Sequence, residues 1–187
     1  MNERFRKHAT RFGALLVIER QPLADRRGFL ERLFCAEEFL EMGFRTPIAQ
    51  INHTVTLAKG TVRGMHFQTP PHAEVKLVSC IRGEAFDVAV DLRADSPTFL
   101  QWHAEILTAG NYRSLLIPAG FAHGFQTLTD NCEMLYFHTV AHTPAAERAI
   151  SPLEPRVGIS WPLPISSMSE RDANHPALAD DYEGIAS

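Results

Sequence analysis

Between about residue 47 and residue 140 the chain is a succession of short runs rich in β-branched and aromatic residues, each broken by Gly, Pro, Asn or Asp. This punctuation constrains the fold more than any other feature, because short strands must pair with others and helix signals are scarce in the same span. In EAFDVAVDL, Phe86, Val88 and Val90 alternate with Asp87, Ala89 and Asp91, giving one apolar and one mixed face. KLVSCI meets that strand through RGE, read as a tight turn, and HAEILTAGNYRSLLI continues the meander with AGN as its turn. CEMLYFHTV adds a strand on which Met134, Tyr136 and His138 share a face. Helices are expected only at the ends. One is CAEEFLEMG at 35–43, acidic early and stopped by Gly43; a short one lies within SSMSERDANHPALADDY, capped by Ser167 or Ser169. TPAAERAISPLEPRVGISWPLPI, rich in Pro and small residues, should wrap the outside as irregular chain. The pattern as a whole predicts an all-β double-sheet jelly roll with short peripheral helices.

At 187 residues and 45% hydrophobic content the chain can bury a core of its own, so a single domain over 1–187 is expected, with 1–12 a flexible or arm-like N-terminus. A formal net charge of −4 argues against a surface that neutralises phosphate backbones, and no nucleic-acid partner is expected. FGALLVI is too short to span a bilayer and lacks a secretory cleavage site, so neither a membrane association nor export is expected. Cys35, Cys80 and Cys132 are odd in number, far apart and without C-x-x-C spacing; they read as buried thiols in a reducing cytoplasm.

Polar side chains turned into a small barrel are costly unless they are hydrogen-bonded or used. In a regular strand, GTVRGMHFQ sends Arg63 and His66 to opposite faces, and Gly64 between them is the natural place for a bulge that turns both toward one cavity. A lone strand histidine is ordinarily a satisfied structural residue. Metal-binding cupins use an H-x-H pair, a downstream Glu and a later His. Here position 64 is Gly and 68 is Gln, and neither Glu74 nor Glu84 has a second histidine nearby, so no metal is expected.

Arg63, His66, Lys76, His123 and Tyr136 together offer a base, two cations, a second imidazole and a phenol. Such a set suits removal of a proton beside a carbonyl and its return. Imidazole titrates near neutrality, and Lys76 can steady a developing enolate oxygen. Tyr136 reads either as the acid on the opposite face or as a rim aromatic with its hydroxyl in water. A carboxylate would orient His66, and Asp172 is the candidate, although its position equally fits a helix-start aspartate.

A series of segments then carries a resemblance: RGF at 27–29, KGTVRGMHFQ, KLVSCIRGEAFDVAVDLR, SPTF at 96–99, IPAGFAHGF at 117–125, EMLYFHT, VGISWP and SERDA. In this order and spacing, across residues 14–182, the chain resembles the dTDP-4-dehydrorhamnose 3,5-epimerase family of metal-free cupins. The resemblance implies a cupin-type jelly roll without cofactor. It makes His66 the base, Asp172 its carboxylate partner, Tyr136 the opposite-face acid and Lys76 the cation near the sugar's C4 oxygen. Gln50, Asn52, Arg63 and His123 fall on substrate-contacting or neighbouring positions. Arg27 matches an arginine that reaches the nucleotide diphosphate bound by the adjoining subunit, which implies a homodimer. The family's RGFFxE glutamate is replaced by Arg32, with Glu31 one position earlier, reversing a charge near the nucleotide end. The family's paired tyrosines after the catalytic strand are here Ala141 and His142, which alters how sugar or base is stacked.

The expected activity is therefore cofactor-independent epimerisation of a nucleotide-diphospho-4-keto-6-deoxy sugar at C3 and C5. The expected substrate is dTDP-4-dehydro-6-deoxyglucose and the product dTDP-4-dehydrorhamnose, in deoxysugar or surface-polysaccharide synthesis. Open alternatives are inversion at one carbon, a GDP- or CDP-linked substrate, a sugar-nucleotide-binding cupin without turnover, and a metal-dependent cupin oxygenase.

Overall fold

The computed structural model describes residues 4–186. A six-stranded antiparallel sheet runs in the order β1 (Phe5–Ala9), β2 (Leu16–Arg20), β10 (Arg113–Ile117), β7 (Lys76–Arg82), β12 (Cys132–His138) and β5 (Gln50–Thr56). Facing it is a five-stranded sheet, β13 (Glu147–Ala149), β6 (Val62–Gln68), β11 (Phe121–Thr127), β8 (Glu84–Asp91) and β9 (Trp102–Thr108). A separate hairpin pairs β3 (Leu23–Asp25) with β4 (Gly28–Leu30), and the helices are the short α1 (Ala36–Leu40) and α2 (Glu170–Ala173). This is the expected all-β double-sheet jelly roll with short peripheral helices. No helix among the described residues is long and apolar enough to cross a membrane.

Three apolar layers hold the sandwich together. Between the sheets, Val17, Val78, Leu115 and Met134 meet Ala85, Ala89, Leu107 and Phe125. The outer face of the six-stranded sheet, with Phe5, Ile18, Leu77 and Phe137, is covered by Phe39 and Phe44 of the α1 region. Phe39 is fully buried edge-on against Phe5 at 4.9 Å, a burial of the kind that contributes about 1.5–3 kcal/mol. The outer face of the five-stranded sheet, with Met65, Phe67, Val88 and Val90, lies beneath Ile150, Val157, Trp161 and Tyr182 of the C-terminal chain. The apolar side of β8 therefore faces the wrapping chain, and its mixed side, with Ala85, Asp87 and Ala89 all fully buried, faces the interior.

Several expectations change. RGE does turn tightly, with Gly83 at φ +75°, but β7 and β8 belong to opposite sheets, so it is a corner and not a hairpin. AGN is likewise a corner: β9 pairs with β8, while β10 pairs with β7 and β2. Alternation and turn residues are local signals, and the partners that decide sheet membership are distant in sequence. The N-terminal stretch expected to be flexible or arm-like contains β1, an ordered strand paired with β2 from Phe5 against Arg20 to Ala9 against Leu16; residues 1–3 of that stretch lie outside the described residues. The wrapping chain is irregular except for β13, which lines up on β6. Cys80 and Cys132 are buried, whereas Cys35 is only half-buried.

Candidate active site

The site begins with a register shift. β11 faces β6 with His123 opposite His66 and Phe125 opposite Arg63, so β6 carries one extra residue in that interval. Gly64 accommodates it at φ +141°, and a Cβ there would stand 2.5 Å from the Gly124 Cα. Only a glycine facing a glycine permits this approach. The bulge turns Arg63 and His66 toward one cavity of about 880 Å³, as the sequence leads one to expect.

Asp172 reaches His66 through α2. Ser169 caps that helix, its Oγ accepting from the Asp172 N–H at 3.0 Å, and the carboxylate meets His66 Nε2 at 2.7 Å. The Gly64 N–H donates to the other carboxylate oxygen at 3.3 Å. Burial works to raise the Asp172 carboxyl, but the hydrogen bond and charge of His66, with Gly64 and Ser169, outweigh it and hold the group ionised below its ordinary range. With Nε2–H donating to a carboxylate, the other ring nitrogen is left to take a proton. The His66 side chain is 33% exposed and its partner 4%, so the imidazole is open to a ligand while its orienting group is sealed away.

Tyr136 lines the same cavity at 8% exposure, which excludes the reading of a wet rim aromatic. Burial pushes its phenol above the ordinary range, against the lowering effect of Thr54 Oγ1 at 3.3 Å, so it carries its proton at neutral pH. The His123 ring lies edge-on to Tyr136 at 6.0 Å, and its Nε2 meets the buried Asp87 at 2.8 Å. Lys76 lies between Glu74 Oε1 at 3.2 Å and the His66 carbonyl at 3.3 Å.

Gln50, Asn52 and His142 also line the cavity: Gln50 donates to Asn52 Oδ1 at 3.0 Å and accepts from the His142 N–H at 2.9 Å. Arg27 and Arg32 stand outside the cavity of their own chain. Arg27, 83% exposed on the β3–β4 hairpin, pairs with Asp25 at 2.6 Å. Arg32 pairs with Glu38 at 3.0 Å, and neighbouring Glu31 is taken up by the buried Arg20 at 2.5 Å.

Sequence reasoning missed Asp87, Glu147, Arg171 and the His138–Glu74 pair. Arg171 grips Glu147 with two N–H groups at 2.7 and 3.1 Å, His142 adds a third contact at 3.2 Å, and the Glu147 carboxyl is held down to about 2. Asp87 announces itself as a charged residue on the interior side of β8; nothing in the spacing links Glu147 to Arg171. Among the described residues no three His, Cys, Asp or Glu groups are placed to hold a metal ion.

A jelly-roll cavity that faces an oriented imidazole with a buried, protonated phenol and a lysine is equipped to move protons on and off carbon, the chemistry of isomerases. The family model for dTDP-4-dehydrorhamnose 3,5-epimerase matches residues 9–180, and the chain belongs to that family. The dTDP-4-dehydrorhamnose 3,5-epimerase of Salmonella typhimurium is 42% identical over 166 residues, 88% of this chain and 90% of that protein. The dTDP-4-dehydro-6-deoxyglucose 3-epimerase of Streptomyces bikiniensis is 36% identical over 158 residues, 83% of this chain and 80% of that protein. Among solved structures, a dTDP-6-deoxy-D-glucose-3,5-epimerase from Legionella pneumophila in complex with dTDP-4-keto-L-rhamnose superposes with a TM-score of 0.91 at 36% identity, covering 98% of each chain.

Proposed function

We propose that this epimerase inverts C3 and C5 of dTDP-4-dehydro-6-deoxyglucose to give dTDP-4-dehydrorhamnose, with the residues of the cavity in named roles. The observation that carries the reading is the 2.7 Å contact of His66 with a buried, ionised Asp172 inside the cavity that Tyr136 and Lys76 also line. Both carbons flank the C4 ketone, so each C–H is acidified by it. His66 takes the proton and becomes an imidazolium stabilised by Asp172. The C–H electron pair moves into the enolate, whose oxygen Lys76 steadies. Tyr136 returns a proton from the opposite face; the phenol then regains one from solvent as His66 gives one up. Arg63, Gln50, Asn52, His123 and His142 contact the sugar nucleotide.

Arg27 and Arg32 act, in this reading, beside the nucleotide diphosphate held by a partner subunit. Phe29 and Leu30 on the Arg27 hairpin are 60% and 72% exposed, and the edge strand β5 exposes Ile51 and Val55. Apolar surface on a hairpin and on an unpaired edge supports a homodimer. The three apolar layers share the same two sheets, which supports one domain over the chain, and the unpaired thiols support a reducing, cytoplasmic setting.

The test is NMR of the substrate in deuterated water with the enzyme added. Deuterium at C3 and C5 is expected; none at either carbon refutes the reading. Deuterium at one carbon selects a mono-epimerase, the alternative favoured by the likeness to the 3-epimerase of Streptomyces bikiniensis.

A further inference from the structure

One wall of the cavity sets beside Lys76 two ionisable groups, Glu74 and His138, that the proton transfers above do not use. Glu74 lies two residues before Lys76, on the same side of the extended chain, and its side chain is 8% exposed. One oxygen faces Lys76 Nζ at 3.2 Å, and the other accepts from His138 Nδ1 at 2.7 Å. The backbone between the two acid–base partners is pinned as well: the Val75 N–H donates to Thr139 Oγ1 at 2.8 Å, and the Thr139 N–H to the Val75 carbonyl at 3.1 Å. His138 is register partner to Lys76 across β12 and β7, and its ring stacks on Tyr136 at 6.2 Å. Its Nε2 is buried without a partner among the described residues, so Glu74 is the group that fixes this ring.

We infer that Glu74 and His138 are positioning residues for Lys76, which hold its ammonium so that one N–H is reserved for the substrate oxygen. An ammonium has three donors. The His66 carbonyl accepts from one at 3.3 Å, Glu74 Oε1 faces the ammonium as its ion-pair partner at 3.2 Å, and Lys76 lines the cavity, which leaves a donor for a substrate oxygen. A free lysine spreads its charge over many rotamers, and ordering it at the moment of reaction costs entropy. A lysine already fixed by a buried carboxylate meets the enolate with no such cost, which is how preorganised donors favour a transition state over a ground state. Burial tends to raise the Glu74 carboxyl, but His138 and Lys76 together hold it ionised, so the clamp is charged at working pH. His138 contributes one N–H that stops the carboxylate from swinging away.

The inference rests on the proton-transfer reading of the cavity, and two readouts separate the two. In steady-state kinetics on the keto-sugar nucleotide, Glu74→Gln and His138→Phe are expected to lower kcat and deuterium wash-in together by roughly 10- to 100-fold, with KM little changed, the cost of a misaimed group. His138→Phe keeps the ring beside Tyr136 and loses the donor; His138→Asn restores a donor and recovers most of the loss. Native kcat in folded Glu74→Gln and His138→Phe, or equal losses in His138→Asn and His138→Phe, overturns the inference and leaves the proposed function standing. The second readout is independent of turnover: a slowly exchanging Lys76 ammonium signal in ¹⁵N NMR, assigned by its loss in Lys76→Met. It is expected in the native enzyme and in His138→Asn and absent in Glu74→Gln. Its persistence in Glu74→Gln refutes the clamp, whereas its presence in a native protein that exchanges no substrate deuterium refutes only the proposed reaction.

Discussion

Tyr136 gains its chemistry from where it lies. Burial pushes its phenol above the ordinary range, so it holds its proton at neutral pH, the state that the proposed role of opposite-face acid requires. Tyr136→Phe is expected to cut net inversion by roughly 10²- to 10⁴-fold while sparing α-proton exchange from the His66 side. Parallel loss of inversion and exchange, followed by NMR and product analysis, contradicts the assignment. Glu147 offers a test by pH. Arg171 first, and then His142, hold its carboxyl at about 2 against an ordinary 4.5, so its stabilisation is complete above about 4.5 and fades as pH falls toward 2. The melting temperature of the native protein should exceed that of Glu147→Gln at neutral pH, and the gap should narrow near pH 3; a constant gap contradicts the clasp. At this scale the sequence was uneven to read. Residue types alone suggest His66, Lys76 and Tyr136, and Asp172 as a candidate partner for His66, but only the family resemblance sets that pairing above a helix-start aspartate, because a contact between β6 and α2 leaves no spacing signal. The grip of Arg171 on Glu147 was hidden for the same reason.

The bulge in β6 shows an element set by one residue. Glycine inside a run of strand-forming residues marked the place, and the register shift against β11 delivers Arg63 and His66 to the same cavity. Gly64→Ala asks an L side chain to hold φ +141° and to stand 2.5 Å from the Gly124 Cα. The strain and overpacking should cost about 1–3 kcal/mol each in denaturant unfolding and should abolish turnover in whatever fraction folds. A stable, active Gly64→Ala enzyme means that the bulge does not set the site. Strand alternation placed the elements well and divided β8 into an apolar and a mixed face, but it carried no signal for which face turns inward: the apolar side meets the C-terminal chain, and the mixed side, with Asp87 against His123, belongs to the interior. The helix ends were legible: Ser169 is the cap of α2, and Gly43, at φ +104°, ends the turn after α1.

At the level of the whole molecule, turn signals found the corners but not the sheets they join, since β7 reaches β10 and β12 through long-range pairing. The β3–β4 hairpin carries Arg27 away from its own cavity and exposes apolar surface beside the charge. Sedimentation is expected to give a dimer, and Phe29→Asp to shift it toward monomer with loss of nucleotide affinity; a native monomer at micromolar concentration rules out a shared site. The central claim concerns a single imidazole, and one comparison addresses it: deuterium entry into the keto sugar catalysed by native enzyme and by folded His66→Ala. Removal of the base predicts a fall of at least roughly 10²- to 10⁴-fold at every carbon that exchanges. Exchange at the native rate without the His66 ring contradicts the account.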